Sequence, residues 1–394
     1  MRNAALFVAV VALTLPVAAA GERASSTKTA DTVLAIEPGR RYDSLVRLNA
    51  QTLEPTGAKL ALRDKLSHAY AFRPDGRRVA IPSVAAHGLR VFDTRTLKRA
   101  GRVWLSDVYV GEYVWMAQRR IVGFGQEGVF AVDPVAGKPL RTPAIPPEIV
   151  DVRRVGNRLV FLFGRPRWAV GAARVVVVDP AGRSTELRLK RIKAGVFERG
   201  YGPENFQPGL AIDPAGRAFV VGGRDEPIAE VNLKTLRLTY HELPRSAQKV
   251  TGRTRRAIWL GGGRIAVWGD DVVAQSGRHE SVPTGLVIAD LRQRRYELVD
   301  ADARSVLSTA RTLLVSDLRG GLKGYSTTGQ RLYEAFTGER VLVAATFRSR
   351  AFVFSPEDGP RGIRVIDART GTVVETRRSL PFILHPDFKQ PGRG

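Results

Sequence analysis

The stretch AYAFRPDGRRVAI (Ala69–Ile81), followed by LRVFDTRTL (Leu89–Leu97), decides how the chain is read. The first piece is a short apolar run, a Pro-Asp-Gly turn and a second apolar run, which predicts strand, tight turn, strand. The second piece is an alternating apolar strand that ends on Asp93 and turns. No convincing amphipathic helix follows anywhere; four- to seven-residue runs rich in Val, Ile, Leu and Phe recur between Gly, Pro, Asp and Asn turn signals.

Working outward, the second signature returns along the chain. It reads LVRLNAQTL from Leu45, VFAVDPVAG from Val129, VVVVDPAGR from Val175, IAEVNLKTL from Ile228, LVIADLRQR from Leu286 and IRVIDARTG from Ile363. A degenerate copy, LKGYSTTGQ, starts at Leu322. The marker residues Asn49, Asp93, Asp133, Asp179, Asn232, Asp290, Ser326 and Asp367 lie 36 to 58 residues apart. A four-stranded propeller blade takes ~40–45 residues. The hairpin signature precedes the marker strand in most units, as in GLAIDPAGRAFVV (Gly209–Val221) and AIWLGGGRIAVW (Ala257–Trp268). The hairpin therefore supplies strands A and B of each unit, and the marker strand is C, turning into D.

The expected fold is all-β: a closed β-propeller of four-stranded antiparallel blades, with eight blades favoured and seven if the Leu322 copy merges with a neighbour. The first unit lacks a strand A of its own. Leu380–Leu384, followed by Pro386-Asp387, supplies one and closes the ring, which removes exposed sheet edges. Phe72-Arg73-Pro74-Asp75-Gly76-Arg77-Arg78 with Leu89 to Lys98 resembles a repeat of the YVTN/WD40-like propeller superfamily, whose repeats read roughly F-S-P-D-G-K-x-L-Y-V and then V-x-V-I-D-T-x-T-G. The resemblance extends, with decay, from about residue 31 to 386. It implies a fold and is nearly silent on activity.

The N-terminus reads as a secretory signal peptide. Arg2 precedes an apolar stretch from Ala4 to Val17, and Ala18-Ala19-Ala20 puts small residues at the cleavage positions. The run falls short of the ~20 residues that span a bilayer. Residues 1–20 are thus expected to be removed, 21–31 to form a disordered polar linker, 32–386 one propeller domain and 387–394 a flexible basic tail. The expected location is secreted or periplasmic, with no transmembrane span in the mature protein. The 394 residues contain no cysteine, so there is no disulfide framework and no thiolate chemistry.

Charge is the most unusual bulk property. The chain has 62 Lys+Arg against 38 Asp+Glu, a formal net charge of +24, and cleavage after residue 20 removes only Arg2. A GC-rich coding sequence alone raises arginine; the functional reading is attraction to a polyanion, where the guanidinium offers a bidentate fork. For an exported protein the polyanions at hand are envelope polymers and anionic lipid headgroups rather than nucleic acid. An unidentified protein partner is the remaining class, and the protein is expected to be monomeric.

Up-and-down connectivity then separates two faces. A–B and C–D turns lie on one, B–C loops and D–A connections on the other. The A–B turns are strongly basic, and Arg78, Arg120, Arg158, Arg217, Arg264 and Arg350 are the expected anion-binding residues. The other face carries the long loops, where binding residues concentrate. There Trp168, Phe197, Tyr201, Asp225, Asp270, Asp271, His279, Glu280 and Glu357 are the expected ligand contacts. No cofactor is predicted, but the repeated acids after strand B make a divalent cation possible.

Catalytic signatures are weak. Gly123-Phe124-Gly125-Gln126-Glu127-Gly128 matches G-x-G-x-x-G, but a strand follows it where a dinucleotide site needs a helix. The five histidines form no i, i+4 metal pair, and no G-x-S-x-G elbow occurs. The expected function is a non-catalytic binding or scaffold propeller. The alternative is a lactonase-like or lyase-like enzyme with its site on the long-loop face.

Overall fold

The computed structural model describes residues 32–389 except 67–69, 84–87, 105–111, 126–127, 143–148, 157, 166–168, 200–201, 245–249, 276–277, 318–319, 356–361, 379–381 and 386–387. The expected signal peptide and linker lie outside the described residues. Every regular element among the described residues is a strand. Strands successive in sequence pair antiparallel into short meanders. Ala71–Phe72, Arg78–Ser83, Gly88–Asp93 and Arg99–Trp104 form one such sheet in that order. The architecture is a β-propeller.

The blade count departs from expectation. Six sheets of four or five strands stand separately, and a seventh sheet has ten strands. Neither eight nor seven separate four-stranded blades is therefore present. The reason is local. The strands Ser184–Arg199 and Arg264–Gln275 run on past the edge of their meanders. Gly202–Gln207 then pairs in parallel with Gly252–Gly261, Phe206 facing Arg253 and Gln207 facing Thr254. That pair fuses the meander over 149–194 to the meander over 252–300, although the separate sheet over 209–241 lies between them in sequence.

The first sheet takes its last strand from the far end of the chain. Phe382–Leu384 pairs antiparallel with Thr32–Glu37, Leu384 opposite Leu34 and Phe382 opposite Ile36. Phe388–Lys389, assigned by sequence to a flexible tail, adds a fifth strand beside Leu342–Phe347. No hydrogen-bonded ring links all the sheets; the seams between them are packed. One cluster joins Val160, Leu162 and Val175 to Leu210, Val220 and Val231, and the next joins Phe219 and Ile228 to Ile265 and Val267. A further cluster joins the last sheet to the first, through Phe347 and Phe352 against Ile36, Leu45 and Ile383.

Strand B explains why this sequence stacks its sheets. In Arg217–Val221 the residues Ala218, Phe219, Val220 and Val221 are all buried, so both faces of the strand meet a neighbour. A continuous apolar run suits that position better than alternation. Each buried Phe or Leu contributes about 1.5–3 kcal/mol. Strand D is the outer strand, and its side chains stand largely exposed, as Val373 and Val374 do.

The marker residues are turn makers. Asp93 Oδ1 accepts the amides of Arg95 (3.0 Å) and Thr96 (2.8 Å), and Asn232 Oδ1 accepts those of Lys234 and Thr235 at 3.0 Å. Asp290 and Asp367 repeat the pattern. Four residues after the marker the chain turns left-handed. Gly137 and Gly371 take that conformation freely, whereas Leu53, Leu97 and Leu236 adopt it with φ of 59°. The strain is about 1–2 kcal/mol for a residue with a Cβ. At Leu53 and Leu97 it is offset by burial of the side chain.

The contribution of Phe382–Leu384 to the first sheet is testable. Ile383 is fully buried, whereas Val374 on an outer strand is 54% exposed. Ile383→Asp places an unpaired charge in the seam, and we expect a loss of about 3 kcal/mol or more in denaturant unfolding. Val374→Asp should stay within about 0.5 kcal/mol of the native protein. Equal effects would mean that the packing around Ile383 does not hold the first and last sheets together.

Candidate functional site

Two glycines let strands leave their blades on the long-loop face. In Ser184–Arg199 the early residues pair with Ala169–Val178, whereas Gly195 to Arg199 pair with Gly202–Gln207. The break falls at Gly195, whose φ is +123° and where a Cβ would come 2.1 Å from the Ala169 carbonyl oxygen. Arg264–Gln275 changes partner in the same way. Arg264 to Val267 face the strand Leu286–Asp290, and Asp270 to Gln275 face Arg278–Pro283. Gly269 sits between, with φ +139° and a would-be Cβ 2.1 Å from the Thr254 oxygen. The extended segments build a small second sheet on this face.

Arg253 and Arg255 stand in this second sheet, on the strand Gly252–Gly261. Two residues apart, they share one side of the strand, and both are buried, at 2% and 7% exposure. The Arg253 guanidinium grips both oxygens of Asp225, in the B–C loop of the 209–241 sheet, with Nη2 3.1 Å from Oδ2. Its Nη1 is also 3.6 Å from Glu226 Oε2. Arg255 Nη1 donates to the carbonyl oxygens of Thr254 (2.8 Å) and Asp270 (2.7 Å), and its Nη2 pairs with Asp271.

Burial and ion pairing compete over the protonation of this cluster. Burial pushes the Glu226 carboxyl above its ordinary value, against the pull of Arg253 and of the Lys193 and Gly223 amides, which donate to it at 3.0 and 3.1 Å. Burial also pushes Asp225 up, but its hydrogen bonds to Arg253 and that residue's charge prevail and hold it below the usual carboxylate range. Arg253 is desolvated too, yet Asp225 and Glu226 hold its proton more firmly than water would.

A cleft of about 280 Å³ opens beside the cluster. Its lining combines the charged side chains of Arg224, Asp225, Arg253 and Asp271 with the apolar ones of Val250, Val282, Pro283, Leu298 and Ala301. A smaller hollow behind it shares Arg224 and reaches Arg255 and Tyr296. The Arg224 guanidinium lies over the Tyr296 ring at 5.7 Å, and burial pushes the Tyr296 hydroxyl up to about 12.

Of the expected long-loop residues, the structure brings Asp225, Asp270 and Asp271 together around these arginines. His279 and Glu280 lie on the exposed strand Arg278–Pro283, where His279 Nδ1 is 3.2 Å from Thr251 Oγ1. Phe197 lies in the extended half of Ser184–Arg199, facing Glu204. Trp168, Tyr201 and Glu357 lie outside the described residues. Among the described residues, no three His, Asp or Glu side chains converge at metal-binding distance. Sequence reasoning missed Arg253 and Arg255. The available signal was the Arg-Thr-Arg alternation at the start of a strand A, directly below acidic B–C loops.

On the opposite face, Arg78, Arg120, Arg158, Arg217, Arg264 and Arg350 each begin a strand B. Four of them face a marker residue: Arg78 opposite Asp93, Arg217 opposite Asn232, Arg264 opposite Asp290 and Arg350 opposite Asp367. All six are half-buried. Arg217 is paired with Asp213 and, at 3.4 Å, with Glu230, while Arg158 Nη1 donates to the Leu233 oxygen at 2.6 Å.

No protein-family model and no curated protein matches the sequence. Solved structures do match in shape. Dihydro-heme d1 dehydrogenase NirN, in complex with DHE, superposes with a TM-score of 0.54 at 12% identity, covering 89% of this chain and 74% of that one. Apo AztD from Citrobacter koseri gives 0.53 at 14% identity, covering 89% and 96%. The computationally designed Ika8 protein gives 0.50 at 13%, covering 81% and 88%. At such identities the likeness shows the propeller fold alone.

The buried carboxyl has a measurable signature. Because the folded-state pKa of Glu226 is raised above its ordinary 4.5, the stability tied to its neutral form is full below that value. It is lost as pH rises through the raised value. Glu226→Gln removes this loss. The unfolding midpoint of the variant, relative to native protein, should therefore climb as pH rises from about 4.5 towards neutrality. A difference that does not vary with pH would contradict the assignment.

Proposed function

We propose that this chain is an exported, non-catalytic binding propeller that meets a polyanion, an envelope polymer or lipid headgroups, through its A–B/C–D face. The observation that carries the reading is the division of labour in the turns of that face. The marker carboxylates are taken up by turn amides, as those of Asp93, Asp290 and Asp367 are. The cations between them point out: Arg77, Arg95, Lys138, Arg292, Arg294 and Arg369 are all exposed. Below them sit the half-buried arginines of strand B, which add to the field.

Individual exposed charges do little, since a surface pair is worth about 0–1 kcal/mol. Many of one sign on one face sum to a potential of several kT and release counterions from a polyanion. Against an enzyme that uses the long-loop acids on a metal, Asp225 and Asp271 are already engaged by Arg253 and Arg255. Export rests on the reading of residues 1–20.

The test compares two sets of five reversals to Glu. One set is Arg77, Arg95, Arg292, Arg294 and Arg369, in A–B and C–D turns. The other is Arg40, Arg41, Arg63, Arg278 and Arg304, exposed on the long-loop face. Retention on phosphatidylglycerol vesicles at low salt should be lost with the first set and largely kept with the second. It should also fade for native protein as the Debye length shrinks towards about 8 Å at physiological salt. Equal loss from both sets would reduce the effect to bulk charge and sink the facial assignment.

A further inference from the structure

We propose that the cleft beside Arg253 binds a small organic monocarboxylate with a short apolar body, taken up by Arg224 at the head and by Val282 and Leu298 along the body. This site lies on the face opposite the basic turns and stands independently of the function proposed for them.

The charge bookkeeping of the cleft identifies the head group. Arg253 is held by Asp225 and Arg255 by Asp271, so two of the arginines are matched. Arg224 has no carboxylate partner among the described residues; its contact is the Tyr296 ring, which orients the guanidinium without neutralising it. It is exposed at the cleft wall. Arg253 adds a buried Nε with no acceptor among the described residues. An unmatched guanidinium presents a planar fork that fits a carboxylate bidentately. A phosphate dianion or a polyanion fits less well, because Asp225 and Asp271 line the same cleft and repel further charge.

The apolar part of the lining identifies the body. Val250, Val282, Pro283, Leu298 and Ala301 are apolar. Val282 and Leu298 are 37% and 56% exposed, among the large hydrophobic side chains this protein leaves open to water. Apolar groups gathered in a concavity, facing a few convergent polar groups, are the usual make-up of a ligand pocket. The volume of about 280 Å³ falls just below the ~300–1,000 Å³ range for such pockets, so the ligand is small. Rigidity is also supplied: Thr284 at the cleft donates its hydroxyl to the Gly269 oxygen at 2.9 Å, tying the loop to the strand bend.

The experiment is isothermal titration of the full chain with phenylacetate and with hexanoate, against phenethylamine and inorganic phosphate as comparators. We expect saturable, one-site binding of at least one carboxylate, no binding of the amine, and much weaker binding of phosphate. Arg224→Gln and Leu298→Asp, both at exposed positions where folding is checked by circular dichroism, should each weaken binding about tenfold or more. The five-turn reversal set on the basic face should bind as native protein does. The proposal is overturned if neither carboxylate saturates at millimolar concentration, if phosphate binds equally well, or if both variants bind like native protein.

Discussion

The grip of Arg253 on Asp225 and Glu226 is the interaction on which the long-loop face depends. It ties the second sheet, carried by the strand Gly252–Gly261, to the B–C loop of the separate 209–241 sheet. A guanidinium this deeply buried is expensive to desolvate, and only good geometry with more than one acceptor compensates. The structure meets that demand with two carboxylates on the outer nitrogens and the Phe206 ring 5.3 Å from the guanidinium carbon. Removing Asp225 would take away both of the hydrogen bonds that hold the charge. The parallel pairing of Phe206 with Arg253 places the residue, and the ion cluster fixes it there.

The propeller itself was legible in the sequence because its signals are local and repeated. Each marker Asx sits at the end of a strand C and caps the turn that follows, so residues such as Asp93, Asn232 and Asp367 report strand ends directly. The pairing of Phe382–Leu384 with the first sheet followed from the missing strand A there. The fusion of two meanders was not legible. Lys193 to Gln207 reads as a long loop with scattered aromatics, yet part of it extends a strand and part forms a new one. A parallel partner more than forty residues away, Arg253 for Phe206, leaves no mark in the local pattern. Gly195 and Gly269 are the visible traces of the bends, but a glycine inside an apolar run is equally a turn signal.

The site was half legible for the same reason. Up-and-down connectivity assigns the acids after strand B to one face by counting strands, and Asp225 and Asp271 meet at one arginine cluster. What they meet there was not readable, since their partners Arg253 and Arg255 come from a strand A that extends beyond its meander. The acids then serve to hold arginines in place, and the arginine left unmatched, Arg224, lies next in sequence to Asp225. The two faces thus use charge in different ways: one presents exposed cations above capped turns, the other balances buried charges around a small cleft.

The most direct measurement of this account is a double-mutant cycle between Arg253→Met and Asp225→Asn, read by denaturant unfolding. If the ion grip locks the second sheet to the 209–241 sheet, each single change is destabilising, Asp225→Asn by less than a fully buried pair would lose, because that carboxylate is partly open to solvent. The double mutant then recovers part of the loss, giving a coupling energy of about 1.5 kcal/mol or more. A coupling below about 0.5 kcal/mol, the additivity expected of independent sites, would contradict it.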